Sequence, residues 1–260
     1  MRRARPYLLP AATILVLLGT WELAARVSLI SNALNIQDFL VPAPSDIARS
    51  LWEDRSLLVS NGWVTLEEVL LGFAIAAVVG VGFAILIHLS ELARRAVYPL
   101  LIGSQTIPIV ILAPILVVWF GFGLAPKLVI VALICFFPIT VNTLDGLRSI
   151  DPDLTKMMRA LGAGRLQRLW RAEIPAALPY AFSGARVAIT VSVIGAVFAE
   201  YVGSSEGLGH LINQAQAQLL TARSFAAVVV LSAMALALFA LVTALERRVV
   251  TWDSRAVTRS

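Results

Sequence analysis

The chain has 260 residues, of which 59% are hydrophobic and only 14% are charged, and its net charge is +5. Soluble domains are about 45–50% apolar and about 25% charged, so a soluble fold of this chain would expose large apolar patches. A single cysteine, Cys135, excludes a disulfide-stabilised scaffold. The composition therefore predicts an integral membrane protein.

Six apolar segments are predicted to span the membrane, because about 20 apolar residues cross the hydrocarbon core. They are 7–29, 69–90, 96–126, 128–144, 180–199 and 224–245. The first contains Glu22 and Arg26, whose i,i+4 spacing allows an ion pair on one helix face. The fifth carries Arg186 near its start, where a long side chain can reach the interface.

The basic residues predict how these spans are oriented. With the N-terminus in the cytoplasm, 15 of the 21 lysines and arginines fall on the inner side, five on the outer side and Arg186 within a span. This bias agrees with the positive-inside rule for a six-span protein with both ends inside. It also accounts for the basic charge without a nucleic-acid partner. Residues 2–20 have some character of a signal peptide, but removing them would break the charge alternation, so a retained first span is predicted.

A short surface helix is predicted in the outer segment between the first two spans. The prolines at 42 and 44 favour extended chain, and Ser45 is a suitable N-cap for a helix over 46–58. Asn61 and Gly62 are predicted to end this helix.

The third predicted span contains Pro99, Pro108 and Pro114, which remove backbone hydrogen bonds and kink a helix. In lipid such breaks are tolerated only against protein or a water-filled path. They are therefore either packing kinks or part of a pathway, and the polar Gln105 beside Pro108 favours a pathway. Asn142, near the end of the fourth span, is a second neutral candidate, and both side chains suit a small polar organic molecule.

The inner loop at 145–179 is too long for a simple connection. Four of its apolar residues have the spacing of one helix face: Leu154, Met157, Met158 and Leu161. Gly162 follows at the position of a C-terminal cap, and a second short helix is predicted at 165–173, ending before Pro175. This elbow docks either on the protein's own inner face and the lipid headgroups or on a soluble partner, and the pattern leaves both open.

The segment from Lys156 to Pro179 resembles the EAA loop of binding-protein-dependent ABC importer permeases. That loop reads Glu-Ala-Ala, three residues, glycine, nine residues, then Ile-x-Leu-Pro. Gly162 falls on the family glycine and residues 172–175 fall on the final motif, whereas Lys156, Met157 and Met158 stand where Glu-Ala-Ala would be.

Other segments look like the nitrate, sulfonate and taurine subfamily of these permeases. They are 40–45, 119–123, 136–138, and 203–209 together with Glu200. Within that subfamily, 104–108 and 142–146 look most like permeases for the pyrimidine precursor of thiamine.

The resemblance implies an all-α integral membrane protein with six transmembrane helices, the type I ABC importer permease fold and a cytoplasmic coupling helix. Residues 1–63 would be the first transmembrane helix and a periplasmic segment, 64–245 the permease core with an EAA-like loop at 153–175, and 246–260 a cytoplasmic tail. The implied setting is a homodimer surrounded by lipid in the bacterial inner membrane. The implied partners are two cytoplasmic ATPase subunits, which bind ATP and Mg, and a periplasmic or lipid-anchored binding protein.

The resemblance also implies that the first loop helix is the coupling helix, seated in a groove of the ATPase. The residues predicted for this contact are Met157, Arg159, Leu161, Gly162, Ala163, Arg165, Arg168 and Pro175. The apolar side chains could fill the groove, the arginines could pair with an acidic rim, and Gly162 allows the elbow.

The chain itself is predicted not to be an enzyme. A Walker A loop needs Gly-Lys, and the only lysines, Lys127 and Lys156, follow a proline and a threonine. His88 and His210 lie far apart in the sequence, so no catalytic residue, metal ligand or cofactor is predicted in this chain.

The predicted function is that of the transmembrane permease subunit of an ATP-driven importer for a small polar organic solute. The pyrimidine precursor of thiamine and sulfonate-, taurine- or nitrate-like solutes stay open. Glu200, at the outer end of the fifth span, is either a simple interfacial carboxylate or part of the path mouth or dimer seam. Two other classes stay open, an intramembrane enzyme and an ion-coupled secondary transporter with polar sites at the membrane midplane.

Overall fold

A computed structural model describes residues 5–28, 33, 35 and 37–252 of the chain. The described chain is helical, which confirms the all-α class, and a 3₁₀ turn at Asp38–Leu40 precedes the second helix. The helices are α1 Arg5–Arg26, α2 Pro44–Glu53, α3 Arg55–Leu89, α4 Glu91–Ser104, α5 Ile109–Phe120, α6 Leu124–Arg148, α7 Pro152–Ala160, α8 Arg165–Gly203, α9 Leu208–Ala217 and α10 Thr221–Val249.

Four of these helices, α3, α6, α8 and α10, are long and apolar enough to cross a membrane. They correspond to four of the six predicted spans; α6, α8 and α10 extend beyond theirs at both ends, and α3 begins earlier but ends at Leu89, one residue before the predicted end. Helix α1 has 22 residues, which suits a span, and the third predicted span forms the two helices α4 and α5. The protein is therefore a multi-pass membrane protein, and the total of six spans stays a prediction.

Helix α6 is the centre of the bundle and packs most extensively against α3 and α8. Glycines bring these helices close together. A Cβ on Gly72 of α3 would lie 2.5 Å from the Val131 side chain, and one on Gly184 of α8 would lie 2.6 Å from the Pro138 carbonyl oxygen. Small residues at helix contacts are the usual means of association in a membrane. Helices α9 and α10 pack onto the same core.

The predicted surface helix at 46–58 is wrong at both ends. Helix α2 begins after Ala43 rather than after Ser45, and a break at Asp54 separates it from α3. Helix α3 then runs through Asn61 and Gly62 without interruption.

The reason is that Asn61 is satisfied by tertiary contacts. Its Nδ2 donates to the Leu57 carbonyl at 2.8 Å, and its Oδ1 accepts from the Gly207 amide at 2.8 Å. These bonds remove the preference of Asn for a turn. The predicted division between residues 1–63 and the permease core consequently falls within the continuous helix α3.

The third predicted span is interrupted between Ser104 and Ile109. Pro108 cannot donate a backbone hydrogen bond, and it disfavours helical geometry at Ile107. Pro99 and Pro114, in contrast, lie within α4 and α5. The break thus places Gln105 outside regular helix.

The short helix predicted at 165–173 does not end before Pro175. It continues into the long helix α8 through a π-helical turn at Leu169–Glu173, where the Ile174 amide bonds to the Leu169 carbonyl. Such a wider turn accommodates a residue that lacks an amide hydrogen. The loop is therefore joined rigidly to a membrane helix.

Candidate functional site

The elbow between α7 and α8 lies at one end of the bundle, which we call the α7 end. Asp151 caps α7, with its Oδ1 accepting from the Asp153 amide at 2.8 Å. After α7 the chain reverses at Gly162, whose φ is +81°. Residues with a Cβ rarely adopt this conformation, so the predicted glycine cap is fixed by backbone geometry.

The apolar face of α7 has no cover within the described protomer. Met157 is 55% exposed and Leu161 is 80% exposed, and the nearby Leu166 and Trp170 are exposed as well. Apolar side chains grouped at an exposed helix end indicate a contact surface. The elbow thus has the geometry expected of a docking element.

Two contacts hold the elbow to the membrane helices. Nε2 of His88, near the end of α3, lies 2.8 Å from Oε2 of Glu173 in α8. The Arg168 Nη1 donates to the Ala163 carbonyl at 2.9 Å, across the elbow itself. Leu169 is buried beside Ala177 in the core at this end. The elbow is therefore joined to α8, and α8 is joined to α3.

The predicted coupling residues occupy different parts of the elbow. Met157 and Leu161 belong to the exposed apolar face, and Gly162 and Ala163 form the reversal. Arg159, Arg165 and Arg168 line a cavity behind α7 rather than the apolar face. Pro175 lies within α8, in the turn after the π-helical segment.

The predicted path residues are not gathered into one site. Gln105 is exposed at the break between α4 and α5. Asn142 donates from Nδ2 to the Pro138 carbonyl at 2.7 Å, within α6, and packs against Gly184. Among the described residues no hydrogen bond joins either of them to Glu200. Their role in a path stays a prediction.

Glu200 is fully buried at the opposite end of the bundle, which we call the α9 end. Its Oε1 accepts from the Thr65 hydroxyl at 2.6 Å, and its Oε2 accepts from the Gly209 amide at 2.5 Å. Thr65 in turn accepts from the Leu208 amide at 2.9 Å. Within the protomer Glu200 is therefore a structural link between α3, α8 and α9.

A second buried group, which sequence reasoning missed, lies beside this link. Lys127 of α6 donates from Nζ to Glu68 Oε1 and to Ser204 Oγ, each at 2.6 Å. Both charged side chains are buried, and Oε2 of Glu68 has no hydrogen-bond partner. The available signal was that Glu68 and Lys127 lie at the predicted outer ends of the second and fourth spans.

Long apolar helices packed around α6, with an uncovered elbow at one end, define a multi-pass membrane protein with an exposed contact surface. The chain belongs to the family described as binding-protein-dependent transport system inner membrane component, which matches residues 70–251.

Relatives named for several solutes cover nearly the whole chain. The formylaminopyrimidine transport permease protein of Halalkalibacterium halodurans is 36% identical over 98% of this chain and 100% of its own length. The riboflavin transport system permease protein of Chloroflexus aurantiacus is 35% identical over 93% of this chain and 89% of its own. The taurine transport system permease protein of Escherichia coli is 27% identical over 96% and 91%.

The fold is also that of a solved importer chain. In the inward-facing structure of the MetNI methionine ABC transporter, a chain with 24% identity superposes with a TM-score of 0.62 and covers 79% of this chain and 98% of its own. At that identity the similarity shows the fold alone, which is the type I ABC importer permease fold.

The family membership decides between the classes that the sequence left open. The protein is a permease subunit of an ABC importer, a non-enzymatic pore component, and ATP is hydrolysed by a separate ATPase subunit. The ion-coupled secondary transporter is therefore not retained.

Among the described residues no group of three or more His, Cys, Asp or Glu side chains is arranged to hold a metal.

Proposed function

We propose that α7 is the coupling helix through which the ATPase moves this permease. The observation that carries the proposal is the uncovered apolar face of Met157 and Leu161 on a helix whose end is fixed by Gly162. The face would seat in an apolar groove of the ATPase, where burying it contributes about 25 cal/mol per Å². Movement of α7 would then pass into α8 through the π-helical turn and into α3 through His88 and Glu173.

We propose a homodimer in the bacterial inner membrane with two ATPase subunits at the α7 end. The α7 end would lie in the cytoplasm, with both chain termini on that side, because the positive-inside rule favours it. A periplasmic or lipid-anchored binding protein would deliver the solute to the α9 end. Lipid would contact the remaining apolar helix surface.

The proposed solute is a small neutral heterocycle of the pyrimidine type. The relatives named for formylaminopyrimidine and for riboflavin transport share 36% and 35% identity with this chain, compared with 27% for the relative named for taurine, which supports a heterocyclic solute over a sulfonate. The neutral, hydrogen-bonding side chains of Gln105 and Asn142 fit a small polar organic solute. They would donate and accept hydrogen bonds along the path.

The experiment is transport in proteoliposomes that contain this chain, its ATPase and its binding protein. We expect ATP-dependent accumulation of labelled formylaminopyrimidine, which unlabelled formylaminopyrimidine inhibits and taurine does not. The isolated binding protein should bind formylaminopyrimidine more tightly than taurine. Equal inhibition by taurine would overturn the solute, and accumulation without ATP would overturn the ATP-driven mechanism.

A further inference from the structure

A cavity of about 630 Å³ lies at the α7 end, between the last turn of α6, helix α7 and the start of α8. Five basic side chains line it: Arg148, Lys156, Arg159, Arg165 and Arg168. The only lining carboxylate is that of Glu173, which already faces the imidazole of His88 at 2.8 Å. The described lining therefore carries a large excess of positive charge.

Most of this charge has no counter-ion within the described chain. The side chains of Arg148, Arg159 and Arg165 make no ion pair or hydrogen bond with another described residue, and the side chain of Lys156 pairs only with the exposed Asp153. Nε of Arg168 is buried and has no hydrogen-bond partner. An unpaired buried donor is costly, and cations gathered in one cavity raise the local concentration of anions.

The cavity is separate from the surface proposed for the ATPase. Pro152, Thr155, Lys156 and Arg159 line it, at the spacing of one face of α7. Met157 and Leu161 do not line it and belong to the exposed apolar face. Helix α7 therefore presents a polar face to the cavity and an apolar face to a partner.

We propose that this cavity binds a phosphate group, carried either by an anionic phospholipid headgroup or by a free phosphate compound. Guanidinium groups match phosphate oxygens with paired hydrogen bonds. A phosphate would neutralise the facing ends of α6, α7 and α8 and would supply an acceptor to the buried Nε of Arg168. The proposal is independent of the solute and of the apolar face proposed to seat in the ATPase.

The test compares two variants of the full-length purified permease that remove the same charge. Arg148→Gln removes a cavity guanidinium, whereas Arg171→Gln removes an exposed one that does not line the cavity. Calorimetric titration with inorganic phosphate tests the free compound. Native mass spectrometry from nanodiscs of phosphatidylglycerol or phosphatidylcholine tests the headgroup.

We expect Arg148→Gln to weaken phosphate binding or retention of phosphatidylglycerol about tenfold, the loss of one charge-assisted hydrogen bond, and Arg171→Gln to leave both unchanged. If Arg148→Gln weakens binding only in the phosphate titration, the site is assigned to a free phosphate compound. If it weakens only the retention of phosphatidylglycerol, the site is assigned to a lipid headgroup. If both variants weaken phosphate or lipid binding equally, or neither does, the proposal is overturned. Unchanged phosphate and lipid binding with weaker ATPase binding overturns it in favour of a protein partner. Lys156→Gln is the second cavity variant if Arg148→Gln does not fold.

Discussion

Lys127 and Glu68 form an ion pair of 2.6 Å between α6 and α3, and both side chains are buried at the α9 end. The same ammonium group donates to Ser204, in the segment that joins α8 to α9. Glu200 lies next to this pair and binds Thr65 and Gly209. The α9 end of the bundle is therefore held by two adjacent polar links rather than by apolar packing alone.

Replacement of Lys127 by methionine should strongly destabilise the protein. The change leaves the carboxylate of Glu68 buried without its cation, which costs about 3–5 kcal/mol. Thermal unfolding of the purified protein in detergent measures the loss. The double variant Lys127→Met, Glu68→Gln should recover part of it because the carboxylate of Glu68 is no longer left without its cation.

The only other lysine of the chain provides the control for that prediction. Lys156 pairs with Asp153 at 2.8 Å on the surface, where both side chains are exposed. Exposed pairs contribute about 0–1 kcal/mol, so Lys156→Met should unfold close to the wild-type temperature. Equal effects of the two lysine variants would show that the Lys127 pair contributes no more than a surface pair.

Glu200→Ala should loosen the chain between α8 and α9. The change leaves the Gly209 amide without its acceptor, and an unsatisfied buried group costs about 1–3 kcal/mol. The Thr65 hydroxyl loses its bond to α8 but can still donate to the Asn61 carbonyl at 3.1 Å. Glu200→Gln keeps one amide oxygen as an acceptor and should be intermediate. Hydrogen exchange of residues 204–209 together with thermal unfolding measures the effect.

Glu206 is the matched control, because it is exposed in the same segment and its carboxylate makes no hydrogen bond with the described residues. Glu206→Ala should leave hydrogen exchange unchanged. If Glu200→Ala is as stable as Glu206→Ala but loses transport, the carboxylate acts in the path or at the dimer seam rather than as a structural link.

Gly162→Asp should abolish solute-stimulated ATP hydrolysis of the assembled transporter while the protein still inserts in the membrane. A φ of +81° is strained for a residue with a Cβ, and the reversal after α7 would change. The measurement is ATPase activity with and without the loaded binding protein.

Gly164→Asp tests whether the backbone conformation, rather than the added carboxylate, causes this loss. Gly164 has φ −66° as the N-cap of α8, and no atom would contact a Cβ at either glycine. Aspartate is a favoured N-cap, so Gly164→Asp should keep coupling. Normal stimulation in Gly162→Asp would contradict the coupling assignment.

Arg223→Gln should remove a pH-dependent contribution to stability that comes from Asp54, between α2 and α3. Arg223 binds Asp54 through two nitrogens, at 2.7 and 3.0 Å, and this hydrogen bonding lowers the pKa of Asp54 below its ordinary 3.8. The contribution is full above that ordinary pKa and is lost as the pH falls through the lowered folded-state pKa.

The expected loss at neutral pH is about 1 kcal/mol, since the pair is only partly buried. The difference in unfolding temperature between wild type and Arg223→Gln should be constant from roughly pH 7 to pH 5 and should shrink below roughly pH 4. Arg49→Gln, in the same cleft but without an ion pair among the described residues, should show no such trend. A difference that grows on acidification would contradict this pairing.

The apolar runs and their spacing were sufficient to predict the main helices and the elbow. A long uncharged run must satisfy its backbone internally in lipid, so 69–90, 128–144 and 224–245 could only be helical. Glu22 and Arg26 form the predicted pair at 2.9 Å, because i,i+4 contacts are local. Gly162 was identifiable for the same reason, since a helix cap depends on adjacent residues alone.

Local rules were wrong where a distant residue satisfies the backbone. Asn61 has the sequence character of a helix end, but Gly207, 146 positions away, occupies its side-chain oxygen. The pairing of Glu68 with Lys127, and the burial of Glu200 beside them, likewise depends on how α3, α6 and α8 meet.

The sequence by itself determined that this chain is a helical membrane protein and which of its loops forms the helix–glycine–helix elbow. Both follow from interactions within one or two helical turns and from the cost of exposing polar backbone to lipid. Only the tertiary structure decided which of the few charged residues become buried partners and that four arginines of the loop line a cavity behind α7. Burial and pairing depend on the packing of whole helices, through close contacts such as Gly72 with Val131, which no local pattern specifies.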